Sequence, residues 1–116
     1  WRCLYTPSAV VYHHLSATGG GVTASYYDGR NMILLLIKNY PSALWRKHGA
    51  RILRSQARKA VDAARAWRGV AARARLRGML AGLAFGVRTF GKRRAVQRTR
   101  TVSIEYLESV LSPPRS

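Results

Sequence analysis

The pattern of hydrophobic and polar positions divides the chain into two strand-like segments followed by four helical ones. Apolar and β-branched residues at 3–5 and 9–12 flank Thr6-Pro7-Ser8, which is typical of two short strands joined by a turn. Residues 16–25 are mainly small or polar and include three consecutive glycines, so they predict a flexible loop. The apolar spacing that follows predicts helices at 26–39, 42–67, 70–90 and 104–111.

Boundary residues support these helices. Pro41 ends the first helix, Ser42 is the expected N-cap of the second, and Ser103 is the expected N-cap of the last. The first helix is apolar throughout 32–37, so we expect it to be buried on most sides. Glycines recur every four residues at 78, 82 and 86, and they predict a smooth face on the third helix that another helix can approach closely.

The second helix has two chemically different sides. At 100° per residue, one side carries apolar residues and the opposite side carries arginines. The apolar side holds Ile52, Leu53, Ala60, Ala64 and Trp67, and the other holds Arg51, Arg54, Arg58 and Arg65. Such a helix fits the surface of an anionic membrane, with Trp45 and Trp67 available for the headgroup layer. The alternative is that the apolar side packs on the rest of the protein and the arginines are solvated.

The charge of the chain limits its possible partners. Lys and Arg total 21 against four acids, and the formal net charge is +17. Seventeen of the basic residues lie at 46–100, where Asp62 is the only acid. Nucleic acid and anionic lipid both suit such an excess. Because the bases alternate with apolar stretches and no known nucleic-acid-binding signature is present, the pattern favours a membrane surface. A basic helical nucleic-acid-binding module is the alternative.

Composition also excludes some classes of protein. Cys3 is the only cysteine, which rules out an internal disulfide and fits a reducing compartment. The longest apolar runs, 32–37 and, with glycines counted, 78–87, fall short of the roughly 20 residues needed to cross a bilayer. The chain begins at Trp1 within strand-like residues, so we expect it to be part of a longer protein.

Candidate chemistry lies where the second strand ends in His13-His14 and opens into the glycine-rich loop. Adjacent residues on a strand point to opposite faces, so at most one of the two imidazoles serves a given site. A histidine pair at a strand end is more often structural than metal-binding. Glycines leave backbone N–H groups bare, so the loop is able to approach a phosphate, and a solvated loop is the alternative.

Several segments together carry a resemblance to a known family. They are residues 1–5, the stretch Pro7-Ser-Ala-Val-Val-Tyr-His13-His14-Leu-Ser16-Ala-Thr18-Gly19, the motif Tyr26-Tyr27-x-x-Arg30-Asn31, and Lys38-Asn39-x-Pro41. In these residues the chain resembles the C-terminal third of bacterial family 2 glycosyltransferases of the rhamnosyltransferase-like kind. The tail, with Leu76-Arg-Gly78-x-x-x-Gly82, Lys92-Arg-Arg94 and Val102-Ser103-x-Glu105-x-Leu107, is similar to the closing helices of these enzymes. Residues 7–31 are the most specific part.

This resemblance implies an α/β parent fold, a GT-A type nucleotide-sugar domain. The present chain is then a mainly α-helical fragment of it with a short N-terminal β-hairpin or strand pair. Residues 1–41 form the C-terminal edge of the catalytic domain, and residues 42–116 form a basic amphipathic tail. The implied activity is inverting transfer of a sugar from a nucleotide-sugar to a glycan or lipid-linked acceptor in cell-envelope polysaccharide synthesis. The implied place is the cytoplasmic face of the plasma membrane, with residues 42–100 on its anionic surface.

The resemblance also implies roles for individual residues. His13 matches the ligand of a divalent cation, Mn²⁺ or Mg²⁺, on the donor diphosphate, whereas His14 stands at a variable position. Donor contacts are implied for Ser16, Thr18, Gly19, Gly20 and Arg30, with a solvated side chain as the alternative for Arg30. The sequence contains neither an Asp-rich metal motif nor an acceptor-activating carboxylate motif. We therefore expect the catalytic base upstream of Trp1 and no sugar transfer by this chain alone.

Overall fold

The computed structural model describes residues 8, 10, 12 and 21–111, and the regular structure within them is α-helical. The helices are α1 (Val22–Lys38), α2 (Ser42–Arg65), α3 (Val70–Arg98) and α4 (Ile104–Leu111). The expectation of a mainly α-helical fragment is therefore confirmed. The strands predicted at 3–5 and 9–12 lie, except for residues 10 and 12, outside the described residues, and they stay a prediction.

Helix α1 begins four residues earlier than the sequence pattern predicted. Gly21 stands at its N-cap with φ 71°, a conformation that suits glycine, and the backbone N–H of Ser25 donates to Gly21 O at 3.0 Å. Residues 22–25, which were expected to belong to the polar loop, are thus its first turn. Tertiary packing explains the difference, because the backbone of Tyr26 in the next turn lies against Gly78 of α3.

The closest packing lies along the seam between α1 and α3, where small residues let the two backbones meet, and Leu44 and Ala63 of α2 are buried as well. A Cβ atom on Gly29 would lie 2.6 Å from Arg75 O, and one on Gly82 would lie 2.8 Å from Arg30 O. Ile33 and Leu36 of α1 are buried. The glycine face at 78, 82 and 86 was correctly predicted to receive a helix, and that helix is α1 of the same chain.

The C-terminal end of α1 is held by side chains from the other two long helices. Arg93 Nη1 donates to Ile37 O at 2.6 Å, Gln97 Nε2 donates to Asn39 O at 2.8 Å, and Trp45 Nε1 donates to Leu36 O at 3.1 Å. These bonds satisfy carbonyls that have no partner within a helix end. They also explain why α3 continues to Arg98 instead of ending near Phe90, since its last turns are fixed by tertiary hydrogen bonds.

Helix α2 has nearly the predicted bounds but not the predicted cap. Pro41 occupies the N-cap, and Ser42 is the first helical residue without a capping side-chain bond. The Ser42 hydroxyl instead accepts a hydrogen bond from Arg93 Nη2 at 2.9 Å. Helix α2 meets α3 over a much shorter length than α1 does. As a result, Leu53 and Trp67 of its predicted apolar side stay exposed.

Helix α4 has the predicted bounds and the predicted cap. The Ser103 hydroxyl accepts a hydrogen bond from the backbone N–H of Tyr106 at 3.1 Å. Glu108 joins α4 to α2, since its carboxylate lies 2.6 Å from Lys47 Nζ and 2.9 Å from His48 Nε2. Within residues 21–111, no helix combines the length and apolar character that crossing a bilayer requires.

Candidate functional site

Most of the donor-site residues suggested by the sequence lie outside the described part of the chain. These are His13, Ser16, Thr18, Gly19 and Gly20, and their roles stay predictions. Among the described residues there is no cluster of three or more His, Cys, Asp or Glu side chains able to hold a metal ion. The candidate cation ligand, His13, is not among them.

Arg30 is the one predicted donor-site residue whose position is described. It lies in the third turn of α1, and its guanidinium carbon stands 5.3 Å from the centre of the Phe85 ring on α3. A cation over an aromatic face is attracted by the negative charge of the ring. The side chain is half-buried, so its direction is set by α3 and not by solvent.

Two of the four acids join helices, one pairs within its own helix, and one lies at the start of a helix. Asp28 of α1 pairs with Arg75 of α3 at 2.7 Å, and Glu108 pairs with the basic side chains on α2. Asp62 lies 3.8 Å from Arg65 on its own helix, and Glu105 is in the first turn of α4. Hydrogen bonds from its own backbone N–H and from the Ser103 hydroxyl lower the pKa of Glu105 below its ordinary value.

Glu108 marks the boundary of the basic surface of α2. Hydrogen bonds from Lys47 and His48 lower the pKa of the Glu108 carboxyl below its ordinary value. Arg51 Nη2 lies 3.4 Å from His48 Nδ1, one turn further along α2. The negative charge of Glu108 therefore compensates basic residues in the first two turns of α2 and does not extend past Arg51.

Beyond that boundary lies the arginine face, which consists of Arg51, Arg54 and Arg58. These three side chains and Ser55 line a hollow of about 210 Å³ on the surface of α2, and all four residues are exposed. The ion pairs found within residues 21–111 include none of the three arginines. Like charges three or four positions apart on a helix repel by about 0.2–0.5 kcal/mol per pair. A bound anion would remove this repulsion, so the hollow favours an oxyanion.

An apolar groove runs along the other flank of α2. It has a volume of about 280 Å³ and is lined from α1 by Ile33, Leu36 and Ile37, from α2 by Trp45, Ile52, Leu53, Gln56, Ala57 and Ala60, and from α3 by Met79 and Leu83. Leu53 is 62% exposed and Leu83 is 55% exposed, so the groove is open to solvent along its outer edge. Its polar lining is limited to Gln56 among side chains.

The two tryptophans expected at a headgroup layer have different environments. Trp45 is half-buried at one end of the groove and its indole N–H is bonded to Leu36 O, so it is part of the packing between helices. Trp67 is 63% exposed on the turn between α2 and α3. Arg73 Nη1 donates to Trp67 O and to Arg68 O, both at 2.9 Å, which fixes the turn that presents the indole.

Sequence reasoning missed the contribution of α3 to the groove. It considered residues 78–87 for their glycines and for the length of their apolar run, although Met79 and Leu83 are four positions apart and share a second face. Phe90 continues that face and lines a neighbouring hollow of about 310 Å³ with Trp45 and Arg93. The i, i+4, i+11 spacing of these large apolar residues was a signal that could have identified the apolar face of α3 that borders the groove.

The arrangement as a whole joins a cationic face to an apolar groove on one amphipathic helix. No protein-family model, no curated protein and no solved structure matches this chain.

Proposed function

We propose that residues 42–100 hold the protein on an anionic membrane surface, with the arginine face of α2 as the principal contact. The observation that carries this proposal is the lack of carboxylate partners for Arg51, Arg54 and Arg58 beside an open apolar groove, within the described residues. An anionic bilayer offers phosphate oxygens above a hydrocarbon layer, and this surface of α2 offers guanidinium groups beside apolar side chains.

The expected free energy of membrane binding is sufficient for reversible association. Each Lys or Arg near an anionic bilayer contributes about 1 kcal/mol, so the three arginines of this face together contribute about 3 kcal/mol. The exposed indole of Trp67 adds an apolar side chain suited to the headgroup layer. Because the contribution of charges is screened by salt, binding should weaken as ionic strength rises.

The test is co-sedimentation of the chain with vesicles of phosphatidylglycerol and phosphatidylcholine, compared with phosphatidylcholine alone. We expect binding only to the anionic vesicles. The double variant Arg54→Gln/Arg58→Gln should lose about 1 kcal/mol per arginine, hence about thirty-fold in the partition coefficient. Arg88→Gln/Arg98→Gln removes the same charge from exposed positions on α3 and should have a smaller effect.

A competing result is easy to recognise. If the chain failed to bind anionic vesicles but retained a DNA or RNA duplex at physiological salt, it would be a nucleic-acid-binding module instead. Phosphate-backbone binding has a steep dependence of affinity on salt, so a titration of salt against affinity for the duplex would identify it. Equal losses in the two double variants would show that net charge, and not the arginine face, governs binding.

The same proposal makes this chain the C-terminal part of an inverting family 2 glycosyltransferase with a GT-A parent fold at the cytoplasmic face of the plasma membrane. The resemblance of residues 7–31 supports it. A divalent cation, when bound, stabilises the negative charge of the departing nucleoside diphosphate. His13 would hold that cation, and Ser16, Thr18, Gly19, Gly20 and Arg30 would contact the donor. The catalytic base and the acidic cation ligands would come from elsewhere in the full-length protein.

Sugar transfer is tested in the full-length protein, by measuring release of nucleoside diphosphate from nucleotide-sugar donors with Mn²⁺ or Mg²⁺ present. His13→Ala should raise the cation concentration needed for half-maximal activity. His14→Ala is the matched control, because adjacent positions on a strand face opposite sides, and it should change that concentration little. Unaltered cation dependence in His13→Ala would refute the proposed role. Sugar transfer by the purified 116-residue chain would refute the expectation that its base lies elsewhere.

A further inference from the structure

We infer that the apolar groove between α2, α1 and α3 takes one acyl chain of an anionic phospholipid, while the arginine face holds that lipid's phosphate. This inference rests on the proposed membrane binding and deepens it. Membrane binding would then include a site for a single lipid molecule, in addition to the non-specific attraction between charged surfaces.

The groove exists because α1 and α2 pack against α3 at different distances. Glycines bring α1 into backbone contact with α3, whereas α2 meets α3 only over a short length. Where α2 faces the groove it presents small side chains at Ala57 and Ala60, opposite Met79 and Leu83. The space of about 280 Å³ therefore remains open although its walls are apolar. Filling it with hydrocarbon would remove the exposed surface of Leu53 and Leu83 from water.

The neighbouring charges select the kind of occupant. Leu53 and Ala57 line the groove, and Arg54 and Arg58, the residues that directly follow them, line the hollow on the next flank of α2. Consecutive residues on a helix are about 100° apart, so each pair places an apolar side chain in the groove and a guanidinium just outside it. A molecule with a hydrocarbon chain joined to a phosphate matches both surfaces. A second copy of this chain matches less well, because each copy carries +17.

Trp45 provides a direct probe of the groove. It lines one end of the groove and also the neighbouring hollow with Phe90 and Arg93, so an acyl chain in either space can contact its indole, and substitutions in the groove decide between the two. In the Trp1→Phe/Trp67→Phe background Trp45 is the only tryptophan. Phosphatidylglycerol vesicles that carry bromine on the acyl chain quench an indole on contact, and we expect them to quench Trp45.

Two substitutions test whether the groove itself is responsible. Ala60→Phe fills the groove and should abolish the quenching, and Ala57→Phe fills it from its exposed outer edge, where folding is less at risk. Ala64→Phe is the matched control, because Ala64 is exposed on α2 and does not line the groove. Far-ultraviolet circular dichroism checks that each variant keeps its helix content. Quenching that persists in both groove variants would overturn the inference.

Membrane-surface binding and occupation of the groove by an acyl chain would be refuted by different results. If the chain sediments with anionic vesicles and Trp45 is not quenched, surface binding stands and the groove inference is wrong. If the chain does not bind vesicles, the groove is tested with dihexanoyl phosphatidylglycerol below its micelle concentration. Saturable binding that Ala60→Phe abolishes would then support the groove, and no binding would overturn it. Dimerisation in sedimentation equilibrium that Ala60→Phe abolishes would also overturn it, since the occupant would be a second copy.

Discussion

Among the helices of residues 21–111, α3 packs against α1 and α2, and it meets them in opposite ways. Toward α1 it presents Gly78, Gly82 and Gly86, and the two helix backbones touch. Toward α2 it presents Leu83 and one flank of Met79, which are larger, yet they border an open groove. The larger apolar residues are thus the ones left partly exposed, while the residues without side chains form the tightest contact.

This difference teaches that apolar content alone does not define a core. A close seam needs complementary surfaces, and the glycines of α3 supply a shallow channel for α1. The contact between α2 and α3 is short within the described residues, so Leu53 of α2 and Leu83 of α3 stay exposed, although Leu44 and Ala63 of α2 are buried. We interpret the seam as the structural part of the bundle and the groove as its functional part.

The largest predicted effect concerns the seam. In Gly78→Ala the new methyl group would overlap the backbone carbonyl of Tyr26, which has no freedom to rotate away. We expect a loss of about 3 kcal/mol in the free energy of unfolding, measured by urea denaturation. Gly91→Ala, at a helical position with no atom near the new methyl group, should instead gain about 0.5–1 kcal/mol. Similar losses in both variants would contradict the proposed backbone contact.

An intermediate effect compares a buried leucine at the inner wall of the groove with an exposed leucine at its outer edge. Leu36 is 9% exposed and Leu53 is 62% exposed, although the same side chain is truncated in both. Leu36→Ala should lose about 3 kcal/mol in thermal or urea unfolding because it leaves a cavity. Leu53→Ala should change stability by about 0.5 kcal/mol or less. A large loss for Leu53→Ala in the absence of lipid would show that the groove is closed in solution.

The smallest effect is expected at α4, which touches α2 outside both regions. The pKa of Glu108 is lowered by its bonds to Lys47 and His48, so its contribution to stability is present above the pKa of an unfolded glutamate, about 4.3. That contribution is lost as pH falls through the lower pKa of the folded state. The difference in melting temperature between the wild type and Glu108→Gln should be positive at pH 6 and approach zero near pH 3. A difference that does not change with pH would refute the ion pair.

Local sequence signals were sufficient where they act within one helix. The bounds of α4 and its Ser103 cap follow from a hydroxyl, an acid in the first turn and an apolar repeat. Local sequence signals failed where a residue far away in the sequence decides how a helix begins or ends. Ser42 has the chemistry of an N-cap, yet its hydroxyl is bonded to Arg93, which is 51 positions away. The continuation of α3 past Phe90 has the same origin, because Arg93 and Gln97 hold the end of α1.

The candidate site likewise has one part that could be predicted from the sequence and one part that could not. The arginine face was visible in the sequence, because its spacing is a property of any helix. The groove was not visible, since it depends on how far α2 lies from α3. Arg30 was assigned to the donor by resemblance, and only the packing of α1 on α3 placed its guanidinium over Phe85.

The sequence by itself determined that residues 21–111 form four helices, that glycines mark the close face of one of them, and that positive charge gathers on another. Those properties depend on residues that are neighbours along the chain. The tertiary structure alone decided which apolar residues are buried and which border an open groove. Whether an apolar residue is buried depends on the distance between the axes of two helices. The side chains of both helices fix that distance together, so neither sequence segment encodes it alone.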